Sequence, residues 1–198
     1  MRTLFLILFL ACLSGGSALA DAEKEHCSMI IEHTEEDDQN PWQTVNDGVM
    51  GGLSSGGSTL EAGALSFKGV TNTNGGGFSS VRLSVPRGAL AGAEFLKVHM
   101  KKDARLYSLT LRTNVRSYGR RIAFRGPILG APEGAWGDGI LSFETLNASI
   151  WGRAVPDAVF DPAEVVEIGL IIYDGEDGPF DMQLKRIEAC GAGARTDV

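Results

Sequence analysis

The nine residues Val165-Val166-Glu167-Ile168-Gly169-Leu170-Ile171-Ile172-Tyr173 form an almost unbroken apolar run rich in branched side chains. Bounded by turn residues, such a run predicts a strand through the middle of a sheet. A middle strand needs a neighbour on each side. Eight further segments have strand character: 27–32, 64–69, 78–85, 95–101, 106–113, 121–125, 140–146 and 180–189. Two of them alternate cleanly, Tyr107, Leu109 and Leu111 against Ser108, Thr110 and Arg112, and Met182, Leu184 and Arg186 against Asp181, Gln183 and Lys185. This is the pattern of strands with one face buried. Nine short strands at this spacing, in a chain with 26 glycines among 198 residues, predict many turns and a β-sandwich. Only two places read as helical. One is a short turn over 86–93, and the other opens at Asp161-Pro162, which has the order of a cap followed by a first-turn proline.

The first twenty residues read as a secretory signal peptide, with Arg2 at the start, an apolar run from Leu4 to Leu13 and a small-residue cleavage site at Ala18-Leu19-Ala20. Lipidation at Cys12 and a mitochondrial transit peptide fit this segment less well, because the apolar run is intact and Arg and Ser are sparse. The expectation is a periplasmic or secreted protein with one β-sandwich domain over 21–198. The apolar run is shorter than the roughly twenty residues a membrane span needs, so no span is expected. The formal net charge of −7 becomes one unit more negative without Arg2, which argues against nucleic acid as a partner. Cys27 and Cys190 remain after cleavage, and an exported chain with an even pair predicts a disulfide. Closing a loop this long stabilises by at most roughly 5 kcal/mol in the chain-entropy account, and it requires the two ends of the domain to lie side by side.

Catalytic material is thin. His26, His33 and His99 are scattered, none has a partner at metal-ligand or triad spacing, and the first two read as solvent-exposed. No catalytic residue, metal or cofactor is expected. The triple glycine Gly75-Gly76-Gly77 lacks phosphate-loop spacing and precedes a strand, so it reads as a tight connection. Arg105, Arg112, Arg116, Arg120, Arg121 and Arg125 crowd about twenty residues, with Tyr107, Tyr118 and Phe124 among them. Surface pairing with Asp103 and other acids is the plain reading of such a cluster, and a patch that receives carboxylates or stacks on sugar rings or aromatic faces is the alternative. Trp136 stands in a glycine-rich loop and is expected to be exposed, whereas Trp42 and Trp151 are expected to pack inward. Arg112, Arg116, Tyr118, Arg120 and Trp136 are the candidate binding residues, since Arg and large aromatics dominate interface energetics.

Trp42-Gln43-Thr44-Val45-Asn46-Asp47-Gly48-Val49-Met50-Gly51-Gly52-Leu53-Ser54 is the most distinctive string in the chain. Together with Phe67-Lys68-Gly69, Gly76-Gly77-Phe78-Ser79-Ser80-Val81-Arg82, Trp151-Gly152-Arg153 and Ile168-Gly169-Leu170-Ile171-Ile172-Tyr173-Asp174, it resembles the complex I intermediate-associated protein family. The resemblance implies an all-β jelly-roll sandwich of the galactose-binding-like kind, with first and last strands adjacent. It also implies a non-catalytic, assembly-factor-like role with a protein partner. The alternative is carbohydrate binding through loops at one end of the sandwich. Trp42, Asn46, Asp47, Gly48, Met50, Gly51, Gly52, Gly77, Phe78 and Arg82 are expected to be structural, Asp47 bonding nearby amides and Arg82 meeting a buried or half-buried acceptor.

Overall fold

The computed structural model describes residues 25–117 and 119–192; the expected leader over 1–20 and the candidate Tyr118 lie outside the described residues. Thirteen strands follow one another: β1 (Glu25–Glu32), β2 (Gln43–Asn46), β3 (Ser55–Glu61), β4 (Ala64–Thr71), β5 (Ser79–Ser84), β6 (Phe95–Lys102), β7 (Tyr107–Ser117), β8 (Arg120–Pro127), β9 (Gly137–Ser142), β10 (Asn147–Ile150), β11 (Arg153–Ala154), β12 (Val165–Ile172) and β13 (Gly178–Ala192). They make two antiparallel sheets. One has the order β3-β4-β13-β6-β9 with β1 also paired to β13, and the other has the order β11-β10-β8-β7-β12-β5-β2. As its apolar run predicts, β12 lies inside its sheet, between β7 and β5.

The core is the space between the sheets. Val81, Leu109, Leu111, Phe124, Ile168, Leu170 and Ile172 enter it from the seven-stranded sheet, and Leu65, Phe67, Leu96, Val98, Met100, Met182, Leu184 and Ile187 from the other. Each fully buried side chain of this size contributes about 1.5–3 kcal/mol, which is why the period-two pattern fixes the facing of every strand. β1 and β13 close the ends of the domain together. Cys27 stands opposite Cys190 in their register, and the two form a disulfide.

Four strands, β2, β3, β10 and β11, are absent from the sequence expectation. They lie at or beside sheet edges and are short or polar, Ser55-Gly56-Gly57-Ser58 for example, so they carry little of the apolar signal that marks a central strand. The predicted strand over 140–146 is shifted: β9 runs Gly137–Ser142 and a 3-10 turn follows at Phe143–Thr145. Residues 86–93 are a succession of turns instead of a helix, with Ala89, Ala91 and Ala93 each donating to the carbonyl three residues back. Gly88 at φ +87° lies in the left-handed region and interrupts any helix there. Asp161 does cap Pro162–Glu164, accepting from the Ala163 amide. Among the described residues, no helix is long and apolar enough to cross a membrane.

Candidate functional site

The Trp42 to Ser54 string is organised around one carboxylate. Asp47 is fully buried and accepts from the Ser54 amide (2.9 Å), the Ser54 hydroxyl (2.5 Å), the Gly77 amide (2.6 Å) and the Phe78 amide (3.2 Å). Burial alone would raise its pKa, but the Ser54 hydroxyl and the three amides outweigh that and hold it below the ordinary carboxylate value. Gly52 and Gly76 explain the paired glycine motifs. A Cβ at either would stand well inside van der Waals contact with the Asp47 side chain. The carboxylate is therefore a pin that joins the loop after β2 to the loop before β5. Trp42 packs in the core, and its indole N–H donates to His33 Nε2 at 3.2 Å. That fixes the imidazole proton on Nδ1, which faces Asp37. His33 is thus buried at 4% exposure, contrary to the exposed position expected for it, because the indole supplies its missing partner.

Not all of the string is interior. Val49, Met50 and Leu53 are exposed, Val49 by 75%, and the Met50 side chain leaves the 3-10 turn Asp47–Met50 outside the core. These residues stand at one end of the sandwich. Asn46, Ser79, Ile172 and Tyr107 share a register line across β2, β5, β12 and β7, and the loops leaving from that line also carry exposed Tyr173 and Leu106. Leu129, just past the end of β8, is exposed on the same margin, where Ile128 donates to the Tyr107 carbonyl. A rigid frame supports this end. The Arg105 guanidinium holds Asp174 through two 2.7 Å bonds and also donates to the carbonyls of Glu176, Gly178 and Pro179 and to the Thr71 hydroxyl.

The outer face of the seven-stranded sheet carries the other notable group. One register row reads Gln43, Arg82, Gly169, Thr110, Arg125, Asn147, across β2, β5, β12, β7, β8 and β10. The next row places Glu167 beside Arg112, joined at 2.7 Å. Between the long side chains the floor is short. Thr110 is buried there, and Gly169 presents only backbone, with the Arg82 stem at van der Waals distance; buried Ser80 lies one row away, beside Ile171. Burial, and then the charge of Arg112, lower the pKa of both Arg82 and Arg125; Glu167 acts in the opposite sense on Arg82 only. Arg125 also donates to Thr110 Oγ1 at 3.3 Å and stands 5.3 Å from the centre of the Tyr173 ring.

The candidate binding residues do not converge on one place. Arg112 belongs to the outer face just described. Arg116 donates to the Gly119 carbonyl at the far end of the β7–β8 hairpin. Arg120, at the same end, lies 3.5 Å over the Trp151 ring. Trp151 is 77% exposed instead of packed inward, since it sits at a positive-φ turn between β10 and the edge strand β11. Trp136 is partly exposed but lies just ahead of β9 of the opposite sheet, stacked on His99, whose Nδ1 meets Asp138 at 2.6 Å. Arg82, expected to meet a buried or half-buried acceptor, has no hydrogen-bond acceptor for its guanidinium among the described residues; its strand position points it to the outer face, where the neighbouring positions are Gln43 and Gly169. Sequence reasoning missed Arg82, Arg125, Glu167 and Tyr173 as one group. The signal available was alternation: each lies out of phase with buried Val81, Phe124, Ile168 and Ile172.

Glu25, Cys27 and Cys190 are close enough to suggest a metal site, but both sulfurs are consumed in the disulfide. An open groove of about 830 Å³ lies beside β6 and β9, lined by Phe95, Ile140, Phe143 and Phe160 together with Glu25, Glu94 and Glu144.

The sandwich resembles solved carbohydrate-binding modules. A family 11 module from Clostridium thermocellum, in complex with a β-1,3-1,4-mixed-linked tetrasaccharide, matches with a TM-score of 0.60 at 13% identity, over 85% of this chain and 96% of that one. The family 11 module of the Clostridium thermocellum cellulosomal cellulase Lic26A-Cel5E matches with a TM-score of 0.58 at 15% identity, over 83% and 97%. No curated protein sequence matches. At these identities the likeness is one of fold alone, and it defines the class as a two-sheet antiparallel β-sandwich domain. Within that class the chain belongs to the family described as Complex I intermediate-associated protein 30 (CIA30), whose match spans residues 31–184.

Proposed function

We propose that this protein is an exported, non-catalytic binding module whose ligand is a protein partner, in the manner of an assembly factor. The observation that carries the reading is the gathering of Val49, Met50, Leu53, Leu106, Leu129 and Tyr173, all exposed, on loops at one end of the sandwich. An apolar group of this kind, held on a pinned loop, suits protein docking. The family supports the same role, and the Cys27–Cys190 bridge and the signal-like first twenty residues support export.

Carbohydrate binding is the second reading, favoured by the outer face of the seven-stranded sheet, where a floor of Ser80, Thr110 and Gly169 is bordered by arginines and Tyr173. The test is affinity capture from the host's envelope fraction beside a glycan array, using the parent, a Val49→Ser/Met50→Ser variant and an Arg125→Gln variant, each first shown to melt like the parent. A partner protein lost by the apolar variant supports the proposal, whether or not Arg125→Gln also weakens its capture. A glycan retained by the parent and lost by Arg125→Gln, with no protein captured, overturns it in favour of sugar.

A further inference from the structure

The arginine face is unlike the rest of this acidic chain. Three guanidiniums, on Arg82, Arg112 and Arg125, share neighbouring rows with one carboxylate, Glu167, and that carboxylate is engaged by Arg112. Arg82 has no acceptor among the described residues, and Arg125 has a neutral one. Half-buried like charges held side by side are unfavourable for the free domain, and an incoming anion relieves them.

We propose that this face binds an acidic peptide segment, laid extended across the strands, whose carboxylates pair with Arg82 and Arg125. The inference rests on the reading that the partner is a protein and names the chemistry of one part of it. Geometry selects the peptide. The backbone positions of Arg82 and Arg125 are separated by three strand-to-strand steps, about 14 Å at roughly 4.8 Å each. In an extended peptide, side chains at i and i+4 point to the same side and are about 13 Å apart. The position at i+2 then falls over the middle strands, within reach of Arg112, where it competes with Glu167. Gly169 and Thr110, the two positions between the arginines, carry no long side chain, so the peptide backbone lies over them once the Arg82 stem and the Arg125 guanidinium that rest there turn to its carboxylates.

The probe is a synthetic peptide with the repeat Glu-Ser-Glu-Ser-Glu, titrated calorimetrically against the purified protein beside its Gln-Ser-Gln-Ser-Gln counterpart and an oligogalacturonate. The glutamate peptide is expected to bind, more weakly as salt rises, and the glutamine peptide is expected not to bind. Arg82→Gln and Arg125→Gln should each weaken it about tenfold to a hundredfold, the loss of one charge-assisted bond. Glu167→Gln should do the reverse and tighten it, because Arg112 is released; this variant keeps the test decisive if an arginine variant folds poorly. Lys101→Gln, on the exposed face of β6 in the other sheet, should change nothing.

Equal binding of the two peptides, unchanged affinity in the arginine variants, weaker binding in Glu167→Gln, or binding of the oligogalacturonate alone would each overturn the proposal. A partner protein still captured through Val49 and Met50 while the glutamate peptide fails would remove this inference and leave the protein-binding reading standing.

Discussion

Replacing Asp47 by alanine removes the acceptor of four hydrogen bonds at a fully buried position. The Ser54 hydroxyl keeps a second contact, since it accepts from the Asn72 amide at 2.9 Å. The amides of Ser54, Gly77 and Phe78 are left to find water or go unpaired, at about 1–3 kcal/mol each. Their sum is offset by several kcal/mol, because the variant no longer holds a desolvated charge. The expected net loss is about 2–5 kcal/mol, a large share of the roughly 5–15 kcal/mol that holds an ordinary domain together.

Urea unfolding followed by tryptophan fluorescence reads this directly, as a lower midpoint at unchanged slope. The same carboxylate gives a pH dependence of definite sign. Its folded pKa lies below the unfolded value, so its contribution is complete above that unfolded value, near about 3.9, and disappears as pH falls through the folded one. Asp174, bonded to Arg105, is shifted in the same direction and adds to the loss. The parent should therefore lose stability below about pH 4 more steeply than Asp47→Ala does. A loss under about 1 kcal/mol in the variant, or parallel acid profiles for the two proteins, would show that the motif is not held by this carboxylate.

Gly52→Ala and Gly76→Ala each drive a methyl group into the Asp47 side chain and should cost about 1–3 kcal/mol, whereas Gly48→Ala, with nothing within 4 Å of the added atom, should melt close to the parent in the same scan. Thiol titration of the denatured, non-reduced protein should find no reactive thiol from Cys27 or Cys190, and a Cys27→Ser/Cys190→Ser variant should lose about 2–5 kcal/mol in chemical denaturation. Arg105→Ala leaves Asp174 buried without its partner and should cost about 3–5 kcal/mol by the same assay; a near-neutral result would mean that the loop frame at the apolar end is solvated.

The central strands were legible because burial on one or both faces writes itself into composition. The run over 165–173 predicts β12, and the alternation around Tyr107 and Met182 predicts the facing of β7 and β13. Edge strands such as β3 were not legible, since Ser55-Gly56-Gly57-Ser58 is held by backbone pairing with β4 and by little apolar burial. The disulfide was readable from cysteine count and compartment alone. The candidate site was harder, for a geometric reason. Arginines close in sequence, such as Arg112, Arg116 and Arg120, are spread along a hairpin to its far tip, while Arg82 and Arg125, more than forty positions apart, stand on one row because β12 and β7 lie between their strands. Trp136, in the loop just ahead of β9, stacks on His99 of one sheet while Arg112 lies in the other, which no local pattern in the chain records.

Because β1 and β13 are bonded through Cys27 and Cys190 at the two ends of the domain, a mechanical load applied there follows a short covalent route. Tension entering at residue 25 and leaving at residue 192 passes through the sulfur link, and the chain between the cysteines, a sequence separation of 163, carries none of it. The sheets would keep their registers under pulling forces that unzip an unbridged sandwich from its terminal strands. With the bridge reduced, the first structure to peel is the β1–β13 pairing, the outermost neighbour of the longest strand in the domain. In a force-extension trace the oxidised protein should therefore add almost no contour length, while the reduced protein releases the whole domain.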